Sequence, residues 1–212
     1  MKHKILVCGA SGAGKSTSLR NLSPESTIII NTERKNLPFR NAKAFTKMAA
    51  CADYVTYLKL IAKAASVADC DVIVIDSFTS LSEQVGLYCR QQWSGFAIWN
   101  NYQSILFDVV QHIKGIDKHV IITGIDEPLQ DDTGVTTRHL RVDGKALKGA
   151  IEKEFAMVLW SKVIKEGSDI RYVFETNNDG STTAKTPMEM FNNRFIDNDI
   201  AAVLKAANEY YL

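Results

Sequence analysis

Ile5-Leu6-Val7-Cys8-Gly9-Ala10-Ser11-Gly12-Ala13-Gly14-Lys15-Ser16-Thr17 runs from an unbroken apolar stretch into a glycine-rich loop that ends in a lysine and two hydroxyls. Two glycines bracket four residues before the lysine, which is the spacing of a P-loop. The apolar run reads as a buried strand and the residues after Lys15 as the start of a helix. Glycines let the backbone turn tightly and aim successive N–H groups at phosphate oxygens, where a Cβ would intrude. A helix beginning near Lys15 would add its positive N-terminal end. Gly9 to Thr17 is therefore expected to bind a nucleoside triphosphate. Lys15 would reach the β- and γ-phosphates, and Ser16 would ligate Mg²⁺.

Outward from this loop, the chain alternates β-branched runs with helical periods. Residues 15–22 read as the first helix and Thr27-Ile28-Ile29-Ile30-Asn31 as a second strand. Residues 52–68 carry apolar side chains at helical spacing, and Val72-Ile73-Val74-Ile75-Asp76 is apolar on both faces, as a central parallel strand should be. Helices over 77–92 and 98–114 and a strand over 119–124 follow. Residues 126–145 are polar and turn-rich, a long loop with room for a short hairpin around 135–142. Two strands, 155–164 and 170–176, are joined by a turn, and Asp197 is expected to cap a final helix. This pattern predicts one α/β domain over 1–212. Its sheet is mostly parallel with helices on both faces and a C-terminal antiparallel strand pair.

Asp76 ends a strand of four apolar residues, the Walker B pattern for a carboxylate that holds Mg²⁺ through a water or through Ser16. Glu33 follows the second strand and would project from the same carboxyl edge, where a carboxylate can orient and deprotonate an attacking water. A solvated loop glutamate beside Arg34 and Lys35 is the competing reading.

The order of P-loop, IIINTE, VIVIDS and VIITG resembles the RecA-type recombinase core. More narrowly, the chain looks like the phage-encoded RecA-like ATPases of the Sak single-strand annealing type, with Asp76-Ser77, the segment Thr183-Ala184-Lys185-Thr186-Pro187 and Asn198-Asp199 adding to the likeness. That resemblance implies ATP and Mg²⁺ as cofactors, Glu33 and Lys15 as catalytic groups, and Lys185 as a cation offered to a neighbouring subunit's γ-phosphate. It also implies single-stranded DNA as substrate, a homo-oligomeric ring or filament, a single-strand binding protein as a further candidate partner, and the cytoplasm of a phage host as location. One departure stands out: Thr123-Gly124 occupies the place of a polar pair that senses the γ-phosphate in RecA. Thr123 could hydrogen-bond a phosphate or water but Gly124 cannot, so coupling to DNA would run through Asp126 and the loop after it.

For nucleic acid, Arg90, Trp93 and Trp99 combine a cation with stacking surfaces, and Arg138, Arg141 and Lys145 could meet phosphates. Aromatics in a core or interface are the plainer reading of the first group, and Asp126, Glu127, Asp131 and Asp132 make the second segment acidic at its start. A small P-loop kinase and a slow, nucleotide-dependent loader remain alternatives. Composition narrows little further. Net charge is +1, so the whole-molecule field does not announce nucleic acid, and the four cysteines and four histidines show no metal spacing. No run approaches the length of a membrane span.

Overall fold

The computed structural model describes residues 1–212, the side chain of Lys145 excepted. Among the described residues, nine strands join in one sheet: β1 (Lys4–Gly9), β2 (Thr27–Asn31), β3 (Met48–Ala50), β4 (Val72–Asp76), β5 (His119–Gln130), β6 (Thr136–Leu140), β7 (Met157–Glu166), β8 (Asp169–Glu175) and β9 (Phe195–Asp197). The order is β3-β2-β4-β5-β1-β7-β8-β9, with β6 paired to β5 alone. From β3 to β7 the pairings are parallel; β8 and β9 then run antiparallel. This is the mostly parallel sheet with a C-terminal antiparallel strand pair expected from the sequence.

Successive side chains of a strand face opposite sides. Leu6 and Cys8 of β1 join Ile73 and Ile75 of β4 in one core, beneath α1 (Tyr54–Ser66), α2 (Phe78–Gln92) and α3 (Phe96–Gly115). Ile5 and Val7 join Val72 and Val74 in a second core, covered by α4 (Ile200–Tyr210) and by Leu19 and Leu22. Ile5 to Cys8 have no exposed surface. Each buried Ile, Leu or Val contributes about 1.5–3 kcal/mol, enough to make β1 a rigid stem for the loop it feeds.

Three local expectations need correction. The helix expected over 15–22 is a short 3-10 turn, Thr17–Asn21, preceded by one α-type bond from Ser18 N to Gly14 O (2.9 Å). Pro24 disfavours helical backbone at Ser23, and the buried Leu22 already has extended backbone, so the turn stops there. The segment 126–145 is not a long loop. β5 leaves the main sheet after Ile125, continues to Gln130 and pairs with β6 from Asp126↔Leu140 to Gln130↔Thr136. The last helix is capped by Asp199, whose carboxylate accepts from Ala201 N (2.9 Å), whereas Asp197 closes β9. The short edge strands β3 and β9 carry no period long enough to read.

Candidate active site

The P-loop leaves β1 at the carboxyl edge of the sheet, flanked by the ends of β5 and β7. Gly9 cannot be replaced without collision, since a Cβ there would stand 2.5 Å from Ser161 O. Gly12 (φ 78°) and Gly14 (φ 96°) adopt the left-handed backbone that bends the loop around its concavity. Lys15 Nζ lies inside that concavity and donates to Gly9 O (2.8 Å) and Ala10 O (2.9 Å). Burial lowers its pKa, while Asp126 and Asp76 pull it back up. With only a five-residue 3-10 turn behind the loop, the dipole of a long helix contributes little here, so N–H groups and Lys15 carry the anion affinity.

Asp76 is the hub of the cleft. Ser16 Oγ donates to its Oδ2 (2.8 Å) and Thr123 Oγ1 to its Oδ1. Thr123 has no exposed surface, so its hydroxyl aims the carboxylate and is not free to sense phosphate. That corrects the expectation of Thr123 as a phosphate contact. Gly124 has a packing reason instead: a Cβ there would meet Leu140 Cδ1 at 2.2 Å.

Glu33 reaches the same cleft through a lock between the ends of β2 and β4. Thr32 N donates to Asp76 O (2.8 Å), Thr32 Oγ1 donates to Ser77 O (2.8 Å), and Ser77 N donates back to Thr32 Oγ1 (2.6 Å). Ser77 caps α2 and also donates its hydroxyl to Glu33 Oε1 (2.9 Å), while Lys35 Nζ donates to Oε2 (2.6 Å). Burial raises the pKa of Glu33, but the bonds from Lys35 and Ser77 outweigh it and hold the carboxyl below its usual range. Glu33 is therefore an ionised carboxylate at neutral pH, held in place by Ser77 and Lys35. Gly12, Lys15, Ser16, Glu33, Asp76 and Tyr172 line one cleft of about 560 Å³, a volume suited to a nucleotide.

The donor set fits a magnesium nucleotide. It comprises a glycine cradle, one lysine, one hydroxyl and one carboxylate in mutual contact, which would hold phosphates and Mg²⁺ respectively.

The remaining expected residues lie elsewhere. Lys185 pairs its backbone with Val158 of β7, and its Nζ donates to Lys153 O (3.4 Å), away from the cleft of its own chain. Arg138 pairs with the buried Asp126, Arg141 with Glu83 (2.9 Å) and Arg90 with Asp143 (3.9 Å). Trp93 packs against the core beside Tyr88, and Trp99 is partly exposed beside Tyr102. The side chain of Lys145 lies outside the described residues. The segment expected to offer cations to DNA phosphates forms ion pairs within the chain, with Lys148–Glu127 (3.0 Å) adding another.

Sequence reasoning missed Ser161 and Asn198. Ser161 Oγ donates to Ala13 O (2.6 Å), and Asn198 Nδ2 donates to Ser161 Oγ (2.9 Å). The available signal was Ser161 itself, a polar residue directly after the apolar run Val158-Leu159-Trp160.

Among the described residues, no helix is long and apolar enough to cross a membrane. Comparison with curated proteins returns no match. Among solved structures, a KaiC-like protein from the hyperthermophilic archaeon Pyrococcus horikoshii OT3 is 13% identical. It covers 81% of this chain and 76% of its own, with a TM-score of 0.49. The AAA domain family matches residues 1–188, which include the P-loop, Glu33 and Asp76. On that span the chain belongs to the AAA domain family, as a P-loop ATPase.

Proposed function

We propose that the chain is a RecA-like ATPase of the phage single-strand annealing type. It would hydrolyse ATP with Mg²⁺ and act on single-stranded DNA in recombination, annealing or replication, as a homo-oligomer in the host cytoplasm. The observation that carries the hydrolytic part is the carboxylate of Glu33, ionised and held by Ser77, in the same cleft as the Ser16–Asp76 pair. Lys15 and the loop N–H groups meet phosphate oxygens, and Ser16 and Asp76 hold the metal. Bound Mg²⁺ neutralises charge on the phosphate oxygens. Glu33 would take a proton from a water whose oxygen bonds to the γ-phosphorus as the bond to the β-phosphate oxygen breaks and ADP leaves. Lys185, outside its own cleft, is available to a neighbouring subunit, in the manner of an arginine finger.

Among the described lining residues the cleft's cations are Lys15 and Lys35, with no arginine. That favours hydrolysis over transfer by a kinase whose arginine lid closes on the phosphates. The test is phosphate release and particle size, each with and without single-stranded DNA. Release is expected to rise with DNA in a larger assembly, and to fall about 10²–10³-fold in Glu33→Gln while nucleotide binding persists. Phosphate transfer to a nucleoside or nucleotide overturns the reading.

A further inference from the structure

We propose that Ser161 and Asn198 are positioning residues of the nucleotide site, a clamp that sets the orientation of the Ala13–Gly14 peptide. The inference rests on the P-loop reading and adds to it a second layer built from the far end of the chain.

Three observations converge. Ser161 touches both ends of the loop: its carbonyl stands where a Gly9 side chain would be, and its hydroxyl donates to Ala13 O (2.6 Å). Asn198, 2% exposed, lies between β9 and α4 and donates from Nδ2 to that hydroxyl (2.9 Å), so the Ser161 proton is committed to Ala13. Asn198 Oδ1 faces the open side of Gly14, where an added Cβ would stand 3.1 Å from it. Arg20 closes the arrangement from the 3-10 turn, donating to Asn198 O (2.6 Å) and Thr17 O (3.2 Å). Asn21 also donates to Asp199 (2.7 Å).

The consequence follows from peptide geometry. In a trans peptide the C=O and N–H point to opposite sides of one plane. Holding Ala13 O against Ser161 therefore turns the Gly14 N–H away from β7 and toward the concavity. In a P-loop followed by a long helix, successive helical hydrogen bonds impose such an orientation. Here the turn after the loop is only five residues long. The restraint is supplied from outside, by a residue of β7 and one just before α4. Both flank the loop on the side opposite Asp76, so the loop is gripped between the Walker B strand and the C-terminal segment.

The test is titration calorimetry of full-length protein with Mg-ADP and with a slowly hydrolysed ATP analogue, beside thermal unfolding without nucleotide. Ser161→Ala removes the bond to Ala13, and Asn198→Asp keeps the size but turns a donor into an acceptor that competes for the Ser161 proton. Each is expected to raise the Kd for both nucleotides about 10-fold, the loss of one well-placed hydrogen bond. KM should rise in parallel and kcat change less. Thr182→Ala is the matched control: a buried hydroxyl bonded to Glu175 (2.9 Å), whose loss should lower the unfolding temperature and leave the Kd unchanged. The clamp is overturned if Ser161→Ala, or Asn198→Asp where Ser161→Ala does not fold, binds both nucleotides as wild type does while Lys15→Ala does not. It is also overturned if Thr182→Ala weakens binding as much, because general loosening then explains the effect. Wild-type protein that binds neither nucleotide, indistinguishable from Lys15→Ala, overturns the P-loop reading and the clamp with it.

Discussion

The cleft around Asp76 and the hairpin of β5 and β6 are both rich in charge, yet they spend it differently. In the cleft, Lys15 is held by backbone carbonyls and Glu33 by Ser77 and Lys35, so one ion pair forms here too, but these groups line a single shared volume. On the hairpin and beside it, Arg138, Arg141, Arg90 and Lys148 each meet an acid of the same chain. Convergence is what a ligand site requires. Mutual pairing is what a folded scaffold requires, and a cation already paired must give up its partner before it meets a phosphate.

The sharpest way to test that difference is at its catalytic side. Lys15→Ala is expected to abolish measurable nucleotide binding in calorimetry. Asp76→Asn should lower phosphate release at least about 10²-fold, because it weakens both metal retention and the Ser16 bond. On the scaffold side, Gly124→Ala forces a methyl against Leu140 and should cost about 1–3 kcal/mol in urea unfolding. Away from both regions, at the amino edge of the sheet, burial pushes the pKa of His119 down to about 4. Its folded-state value lies below the unfolded one, so its contribution is complete above about pH 6.5 and declines as pH falls toward 4, by about 2 kcal/mol. The difference in unfolding free energy between pH 7.5 and 4.5 should therefore shrink in His119→Gln, with hydrolysis at neutral pH retained.

Smaller effects separate the hairpin's charges from one another. Arg138→Ala strands a carboxylate whose side chain is 4% exposed, while the arginine itself is 41% exposed, so the expected loss is about 1–2 kcal/mol. Arg90→Ala and Arg141→Ala break exposed pairs and should shift stability by less than about 0.5 kcal/mol. A fall of about one in the salt slope of DNA binding in either variant assigns it a phosphate contact; an unchanged slope leaves it to the scaffold.

The legible parts were those whose cause is local. Thr27–Asn31 and Val72–Asp76 were readable to the residue because a buried parallel strand is a continuous β-branched run, and Ser77 announces the helix it caps. Glu33 was placed at the correct edge by counting from a strand end. The 3-10 turn after the loop was misread as a helix because Lys15 to Leu22 has ordinary helical composition, and its arrest depends on Leu22 turning into a core that exists only after folding. The polar composition of 126–145 let a short hairpin be read around 135–142 but hid its first strand, which continues β5 to Gln130 through backbone bonds that need no apolar period.

By itself the sequence pointed to the ligand class and to the central strands of a mostly parallel sheet. A P-loop and a Walker B strand are short-range patterns, and their chemistry is written in residues a few positions apart. Only the tertiary structure decided which polar groups serve that chemistry and which are absorbed by the scaffold. Thr123 was drawn to Asp76, Arg138 to Asp126, and Ser161 and Asn198 to a loop 148 and 185 residues upstream of them at Ala13. Hydrogen bonds depend on distance and direction in space, and no local pattern encodes which distant side chains the folded sheet will bring within three ångströms of each other.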